Sequence, residues 1–465
     1  MKKFISIMIL SNVIYPQFTW GAPAQPGIED NIKRLNWNGM DVVYIEDKRF
    51  PTFDLTLYFA DGALSEKKGE MGLTDHSFDL IDTGTPKLSQ AQILDQFEFT
   101  GTEFNSNVTH EYSTISLSGL SKDIKTTVSQ MCTLLREGNY PEKEVKKEIA
   151  QEREGLLAIV ANPQGLAERV FREVSLSGTP YAYPVNGKLN DFKSYTSLKL
   201  REKMDYFLNN VKKRLYITGP SSVLAIEKIL SDECRFKGSP NDFVRSIAKP
   251  TIMPSKTKFV FVPVPDANQV QLRIGRFINA NETQTRNLDA LASDFLGGGF
   301  TSRLMREVRV KRGLTYSIGS FISSQKQYGR AGISTFTKNE TIENLIRVID
   351  ETVTNITKNG ITDEDLLHST EGMIGAYPFK FESNSAFLSQ LLLLDHIERP
   401  YSDLFEFKEA VAKYNAKEVA QRIKEVYGMD KQTIFVLGDK KIESKLRSLT
   451  KKYGTLKVLD YKKFL

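Results

Sequence analysis

The chain repeats itself once, and this constrains its fold more than any other feature. Ser113-Thr114-Ile115-Ser116-Leu117 reads as a strand. A polar turn follows, then an amphipathic run from Asp123 to Leu135, then Gly138, then Pro141-Glu142-Lys143-Glu144-Val145 opening a second helix. About 218 residues on, Gly332-Ile333-Ser334-Thr335-Phe336 starts the same series again. It continues through a run from Thr341 to Ile356, Gly360, and Thr362-Asp363-Glu364-Asp365-Leu366. Strand, helix, glycine stop and capped second helix recur in one order. The expectation is two similar halves, 30–240 and 258–465, joined by a linker at 241–257 near Pro240, Pro250 and Pro254.

Within half one, strands are expected at Val42–Ile45, Phe53–Ala60, Thr109–Ser118 and Arg214–Thr218. Half two opens alike with Lys258–Val262 and Gln269–Ile274. Partial alternation in Thr52-Phe53-Asp54-Leu55-Thr56-Leu57-Tyr58-Phe59 suits a sheet with one face on helices. The fold class expected is α+β, each half an antiparallel or mixed sheet with helices packed on one face.

The 465 residues carry 63 Lys+Arg against 57 Asp+Glu, a net charge of +6. The two signs are interspersed, which speaks against a nucleic-acid footprint. Met1-Lys2-Lys3, an apolar stretch from Phe4 to Ile14 and Ala22-Pro23-Ala24 have the layout of a signal peptide over 1–24. That apolar stretch is too short to span a bilayer, so export to the periplasm is expected, with no stable membrane span after leader removal. Cys132 and Cys234 are the two cysteines. They fit one disulfide in an exported chain, or buried thiols, which the helical setting of Cys132 favours.

One segment of half one bears on chemistry: Gly72-Leu73-Thr74-Asp75-His76-Ser77-Phe78-Asp79-Leu80-Ile81-Asp82-Thr83-Gly84-Thr85. It resembles the G-L-x-H-x-x-E-H-x-x-x-x-G-T segment of the insulinase/pitrilysin family, the inverted zincins related to mitochondrial processing peptidase. In that motif two His on one helix face bind zinc and the Glu between them activates water. The matching positions here hold Asp75, Phe78 and Asp79. Phenylalanine cannot accept a proton. The family's third ligand is a Glu in a V-x-x-E-[IM] context, which Val145-Lys146-Lys147-Glu148-Ile149 matches, so Glu148 is the residual ligand position. The four His (His76, His110, His368, His396) never fall at H-x-x-x-H spacing. No metal is expected in this chain, although Asp75, Asp79 and Glu148 leave open a carboxylate site for a harder cation.

Phe104-Asn105-Ser106-Asn107 resembles the family's substrate-pairing edge strand, which implies a peptide-binding role for Asn105. Half two carries Leu296-Gly297-Gly298-Gly299-Phe300-Thr301-Ser302-Arg303-Leu304, a helix from Met305 to Lys311, and Arg312-Gly313-Leu314-Thr315-Tyr316-Ser317. This resembles the family block whose Arg and Tyr hydrogen-bond the scissile carbonyl. The resemblance assigns that role to Arg312 and Tyr316, and a flexible loop near the substrate to Gly297, Gly298 and Gly299.

The resemblance implies two homologous halves forming a clamshell chamber. It also implies a non-catalytic subunit that binds unfolded peptides and lends its Arg–Tyr pair to a zinc-bearing partner in a heterodimer. Two other readings stay open: a stand-alone peptide-binding or assembly scaffold, and an active metallopeptidase with an altered carboxylate metal site.

Overall fold

The computed structural model describes residues 31–236, 256–279 and 286–465. The expected signal peptide (1–24) and most of the expected linker lie outside the described residues.

Half one builds a six-stranded sheet from β1 (Ile32–Trp37), β2 (Met40–Glu46), β3 (Thr52–Phe59), β4 (Glu103–Val108), β5 (Ser113–Leu120) and β6 (Lys213–Gly219). Half two builds another from β7 (Lys258–Pro263), β8 (Gln269–Asn279), β9 (Ile318–Ser324), β10 (Tyr328–Lys338), β11 (Thr433–Gly438) and β12 (Leu456–Val458). Their orders are β1-β2-β6-β3-β5-β4 and β12-β7-β11-β8-β10-β9. The five strands β2 to β6 match β7 to β11 place for place, with β2–β6 and β7–β11 both parallel and the other matched pairs antiparallel. The sixth strand comes from opposite chain ends, β1 ahead of its half and β12 behind it. The stretch read as one strand over Thr109–Ser118 breaks at a turn closed by Thr109, whose N–H and hydroxyl both donate to Tyr112 O.

The helices of half one are α1 (Leu73–Asp79), α2 (Gln90–Phe99), α3 (Ile124–Glu137), α4 (Glu142–Ala158), α5 (Pro163–Ser175), α6 (Ser197–Asn210) and α7 (Glu227–Asp232). In half two, α8 (Arg286–Gly297), α9 (Ile342–Asn359), α10 (Asp363–Ala376) and α11 (Asn384–His396) follow. In α3, Ile124, Val128, Met131, Cys132 and Leu135 are buried, one apolar stripe at helical spacing. Gly138 ends α3, and Gly360 ends its counterpart α9.

Each half's own helices cover one face of its sheet, where Phe53, Leu55, Leu57, Leu215 and Ile217 form one core and Phe259, Phe261, Ile434 and Val436 another. The second face is not bare. On the half-one sheet, Val43, Ile45, Tyr58 and Tyr216 meet Phe387, Leu388, Leu391 and Leu392 of α11, which belongs to half two. On the half-two sheet, Val260, Val262, Phe435 and Leu437 meet Leu166, Ala167, Val170 and Phe171 of α5, which belongs to half one. The halves exchange a helix, so their central strands are buried on both sides and read as nearly continuous apolar runs.

The structure pairs Cys132 of α3 with Cys234 beyond α7 in a disulfide. Of the two readings left open by the sequence, this is the disulfide rather than the buried free thiol that the helical setting of Cys132 favours. Cys132 does lie on the buried stripe of α3, but α7 packs against that helix and brings Cys234 within bonding reach.

Candidate functional site

Helix α1 starts at Gly72, whose left-handed backbone (φ 83°) turns the chain into the helix. Glu66 caps it, its carboxylate accepting the N–H of Gly72 at 2.9 Å and of Thr74 at 2.7 Å. Burial raises the Glu66 carboxyl to about 7, against the pull of those amides. Phe78, at the position of the catalytic Glu, is wholly buried. Its ring packs edge-on against Phe59 (5.4 Å) and Phe207 (5.0 Å). It closes the core rather than facing a groove. His76 also turns inward: its Nδ1 lies 2.9 Å from Gly72 O and its ring 4.5 Å from Tyr195.

Asp75 and Asp79 point the other way. Burial, then the charges of Asp79, Glu152 and Glu66, push the Asp75 carboxyl up to about 8. Asp79 is open to solvent on one side but walled by enough protein that burial raises it too, and Ser106 Oγ of β4 donates to it at 2.8 Å. Asp82, one turn on, is raised as well, by burial and then by the Asp79 and Glu148 charges.

Glu148 lies on α4, half-buried and 3.4 Å from Lys147 Nζ. The α4 carboxylate whose charge reaches both Asp75 and Asp79 is Glu152, held at 2.8 Å by Asn186 Nδ2. The sequence carried a signal for it: Glu152 is one helical turn past Glu148, on the same face of α4. Among the described residues no three His, Cys, Asp or Glu side chains converge in a way that could hold a metal ion.

Strand β4 is the last strand of its sheet, so its outer N–H and C=O groups have no strand partner. Its residues alternate, with Glu103, Asn105 and Asn107 exposed. The Ser106–Asp79 bond ties this free edge to α1, and Asn105, the next residue along the strand, is exposed.

In half two, Gly297 ends α8 against β9. A Cβ there would lie 2.3 Å from Ser320 N, so only glycine lets the helix end press on the strand. Of the triple glycine only Gly299 stands in open space, since a Cβ on Gly298 would meet Asp294. The expected helix from Met305 to Lys311 is a turn of π-helix, Met305–Val310, a widened geometry frequent at functional sites. Gly313, with φ at 59°, turns the chain out of it. Arg303 reaches Asp365 of α10 at 2.6 Å and is committed to holding that helix.

Arg312 is exposed and donates through one nitrogen to Glu307 O (2.7 Å) and Glu307 Oε2 (2.9 Å). Tyr316 is 75 % exposed, with the Arg309 guanidinium 4.8 Å over its ring and Phe300 on that guanidinium's other contact at 5.5 Å. Among the described residues no hydrogen bond, ion pair or ring contact joins Arg312 or Tyr316 to half one. The two candidate sites thus share no direct side-chain contact among the described residues. Arg309, which orients Tyr316, carried no signal beyond its place in a basic run.

Fold and site define a two-half protein of metallopeptidase type whose motif helix has lost its zinc ligands and base. The comparison of sequences agrees. Residues 41–187 match the model of insulinase (peptidase family M16), and residues 199–371 match that of the peptidase M16 inactive domain. The chain belongs to the M16 family. It is 22% identical over 412 residues to a Helicobacter pylori protein named a non-peptidase homolog, YmxG, spanning 88% of this chain and 94% of that one. To an uncharacterized zinc protease of Bacillus subtilis, also YmxG, it is 22% identical over 76% of this chain and 85% of that one. Among solved structures, a peptidase M16 inactive domain from Pseudomonas fluorescens superposes with a TM-score of 0.78 at 21% identity, covering 88% of this chain and 98% of that one. The periplasmic protease PqqL of Escherichia coli gives 0.71 at 13% identity, covering 88% of this chain and 46% of that one. At these identities the structural matches speak for the fold alone.

Proposed function

We propose that this chain is the non-catalytic subunit of a heteromeric periplasmic M16 peptidase. It grips extended peptides along β4 beside Asn105 and offers Arg312 and Tyr316 to the active site of a zinc-bearing partner, closing a chamber with it. The observation that carries this reading is a mismatch within one molecule. The catalytic position is filled by a core phenylalanine, Phe78, while Arg312 and Tyr316 stay exposed, without direct contact to half one among the described residues. A guanidinium and a phenol are donors suited to a developing oxyanion. Glu148 remains as the last trace of the ligand set. The Cys132–Cys234 disulfide supports an oxidising compartment and hence export, and no helix among the described residues is long and apolar enough to cross a membrane.

The test is co-purification from the native periplasm, then turnover of the zinc-bearing chain with and without this one. Arg312→Ala and Tyr316→Phe are expected to assemble normally and lower kcat by roughly 10- to 1000-fold. Arg312→Lys restores only part, because a point charge does not replace a planar fork. Wild-type turnover with both variants assembled would return Arg312 to a structural role. The Glu307 contacts of Arg312 favour that second reading, a stand-alone peptide-binding scaffold in which the guanidinium only closes its own turn. An altered carboxylate metal site has less support, since among the described residues no three His, Cys, Asp or Glu side chains converge in a way that could hold a metal ion.

A further inference from the structure

A cavity of about 790 Å³, open on one side, lies in half two between α8, β9, α10 and α11. It is remote in sequence and element from α1 and β4, and its charged groups are unevenly engaged. Three carboxylates line it, and each is already engaged. Asp289 is bound by Arg422 at 2.6 Å, Asp403 by Arg399 at 2.7 Å, and Asp294 accepts from Ser369 at 2.7 Å. Among the described residues, two cations on the wall, Arg286 and Lys380, make no ion pair with a carboxylate. Arg286, half-buried at the start of α8, makes no hydrogen bond or ion pair among the described residues; its charged neighbours are Arg399, which repels it, and Asp403 and Asp289, which attract it only through space while bonded to their own arginines. Among the described residues Lys380, at the rim, lies over the Tyr377 ring at 5.2 Å and the Phe407 ring at 5.9 Å and pairs with no acid. Burial, then neighbouring positive charge, lowers both groups, and for Arg286 this outweighs the attraction of Asp403 and Asp289.

Beside these cations, Tyr377 and Phe407 stack with ring centroids 3.8 Å apart and planes 5° from parallel, an apolar wall next to a positive one. The opposite wall is β9, the end strand of its sheet. We infer that this cavity binds a carboxylate-bearing peptide segment, its acid on Arg286 and Lys380 and its apolar part on the Tyr377–Phe407 stack. The volume is that of a pocket for an organic ligand rather than a small inorganic ion, and an end strand offers main-chain groups to an extended chain. The inference rests on the reading of this protein as a peptide binder, but not on a zinc-bearing partner or on Arg312.

The full chain, alone, is titrated by fluorescence anisotropy with a labelled apolar octapeptide carrying two Glu and with its Gln counterpart. The Glu peptide is expected to bind at least tenfold tighter, with the preference fading at high salt. Arg286→Gln/Lys380→Gln abolishes the preference, while Arg312→Ala keeps it, which separates this site from the proposed active-site pair. If the double variant does not fold, Lys380→Gln at the exposed rim serves, with a loss of threefold or more expected. Equal binding of the two peptides overturns the inference. So does a folded double variant that keeps the preference, or full displacement by inorganic phosphate at concentrations matching unlabelled peptide, which would reassign the site to a small anion.

Discussion

Glu111 and His396 meet at 2.9 Å across the boundary between the halves, 285 residues apart in sequence and each no more than 5% exposed. The carboxylate also accepts from Tyr181 OH (2.8 Å) and from the main-chain N–H groups of Lys326 (2.9 Å) and Gln327 (3.2 Å). The other His396 nitrogen lies 2.9 Å from Tyr58 OH. One buried carboxylate thus joins a half-one turn, the β9–β10 hairpin and the end of α11. It pins α11 over the half-one sheet. Removing one member leaves the rest buried without a partner, so Glu111→Ala or His396→Ala is expected to cost about 3–5 kcal/mol in urea unfolding.

The same carboxylate sets an acid limit. Burial pushes Glu111 up, but His396 and the Lys326 amide outweigh it and hold the group below its usual range. A depressed carboxyl adds stability that is present above its unfolded value and is lost as pH falls through the folded one. The melting temperature of wild type should therefore exceed that of Glu111→Gln by a constant margin from pH 5 to 7 and lose that margin in stronger acid. Parallel curves down to pH 3 would show that Glu111 does not carry this limit.

Asp75 carries the opposite sign. Its carboxyl, raised to about 8 by burial and then by neighbouring acids, resists ionisation in the folded state while ionising freely in the unfolded one. Stability is therefore withdrawn progressively as pH climbs from about 4 toward 8. Asp75→Asn should melt with wild type near pH 4 and above it near pH 8. A gap that does not widen with pH would mean the carboxyl is hydrated and unshifted.

Phe78 is now a packing residue. Phe78→Ala should cost about 3–5 kcal/mol in urea unfolding, through lost burial and the cavity left against Phe59 and Phe207. Phe78→Glu should cost at least as much, since the carboxyl would enter an apolar pocket. Retained stability with Phe78→Glu would mean that α1 can rotate to expose this position.

Cys132 and Cys234 close a loop spanning 102 residues of sequence. On the chain-entropy account, Cys132→Ala/Cys234→Ala should lower stability by about 4–5 kcal/mol. Wild type under strong reductant should approach the variant in denaturant titrations. If the reduced wild type and the variant both match the oxidised protein, the link contributes nothing to stability.

The order of elements was written in local patterns. The stretch from Ser113 through Gly138 to Glu142 and its echo from Gly332 through Gly360 to Asp363 specify strand, helix, stop and helix with short-range signals: period, cap and glycine. The absence of the family's general base was equally legible, because Phe78 has no atom that can accept a proton in any fold. What local patterns could not carry was partnership. The apolar stripes of α5 and α11 announce burial but do not name a sheet, and each lies on the sheet of the opposite half. The helical setting of Cys132 fits a free thiol until α7 brings Cys234 to it. Glu148 matches a motif, yet Glu152 shares its charge with Asp75 and Asp79 because the turn of α4 and the bond from Asn186 aim it there. Glu111 and His396 look unrelated until the helix exchange closes, since the free energy of a buried pair depends on what surrounds it and not on how far apart its members lie along the chain.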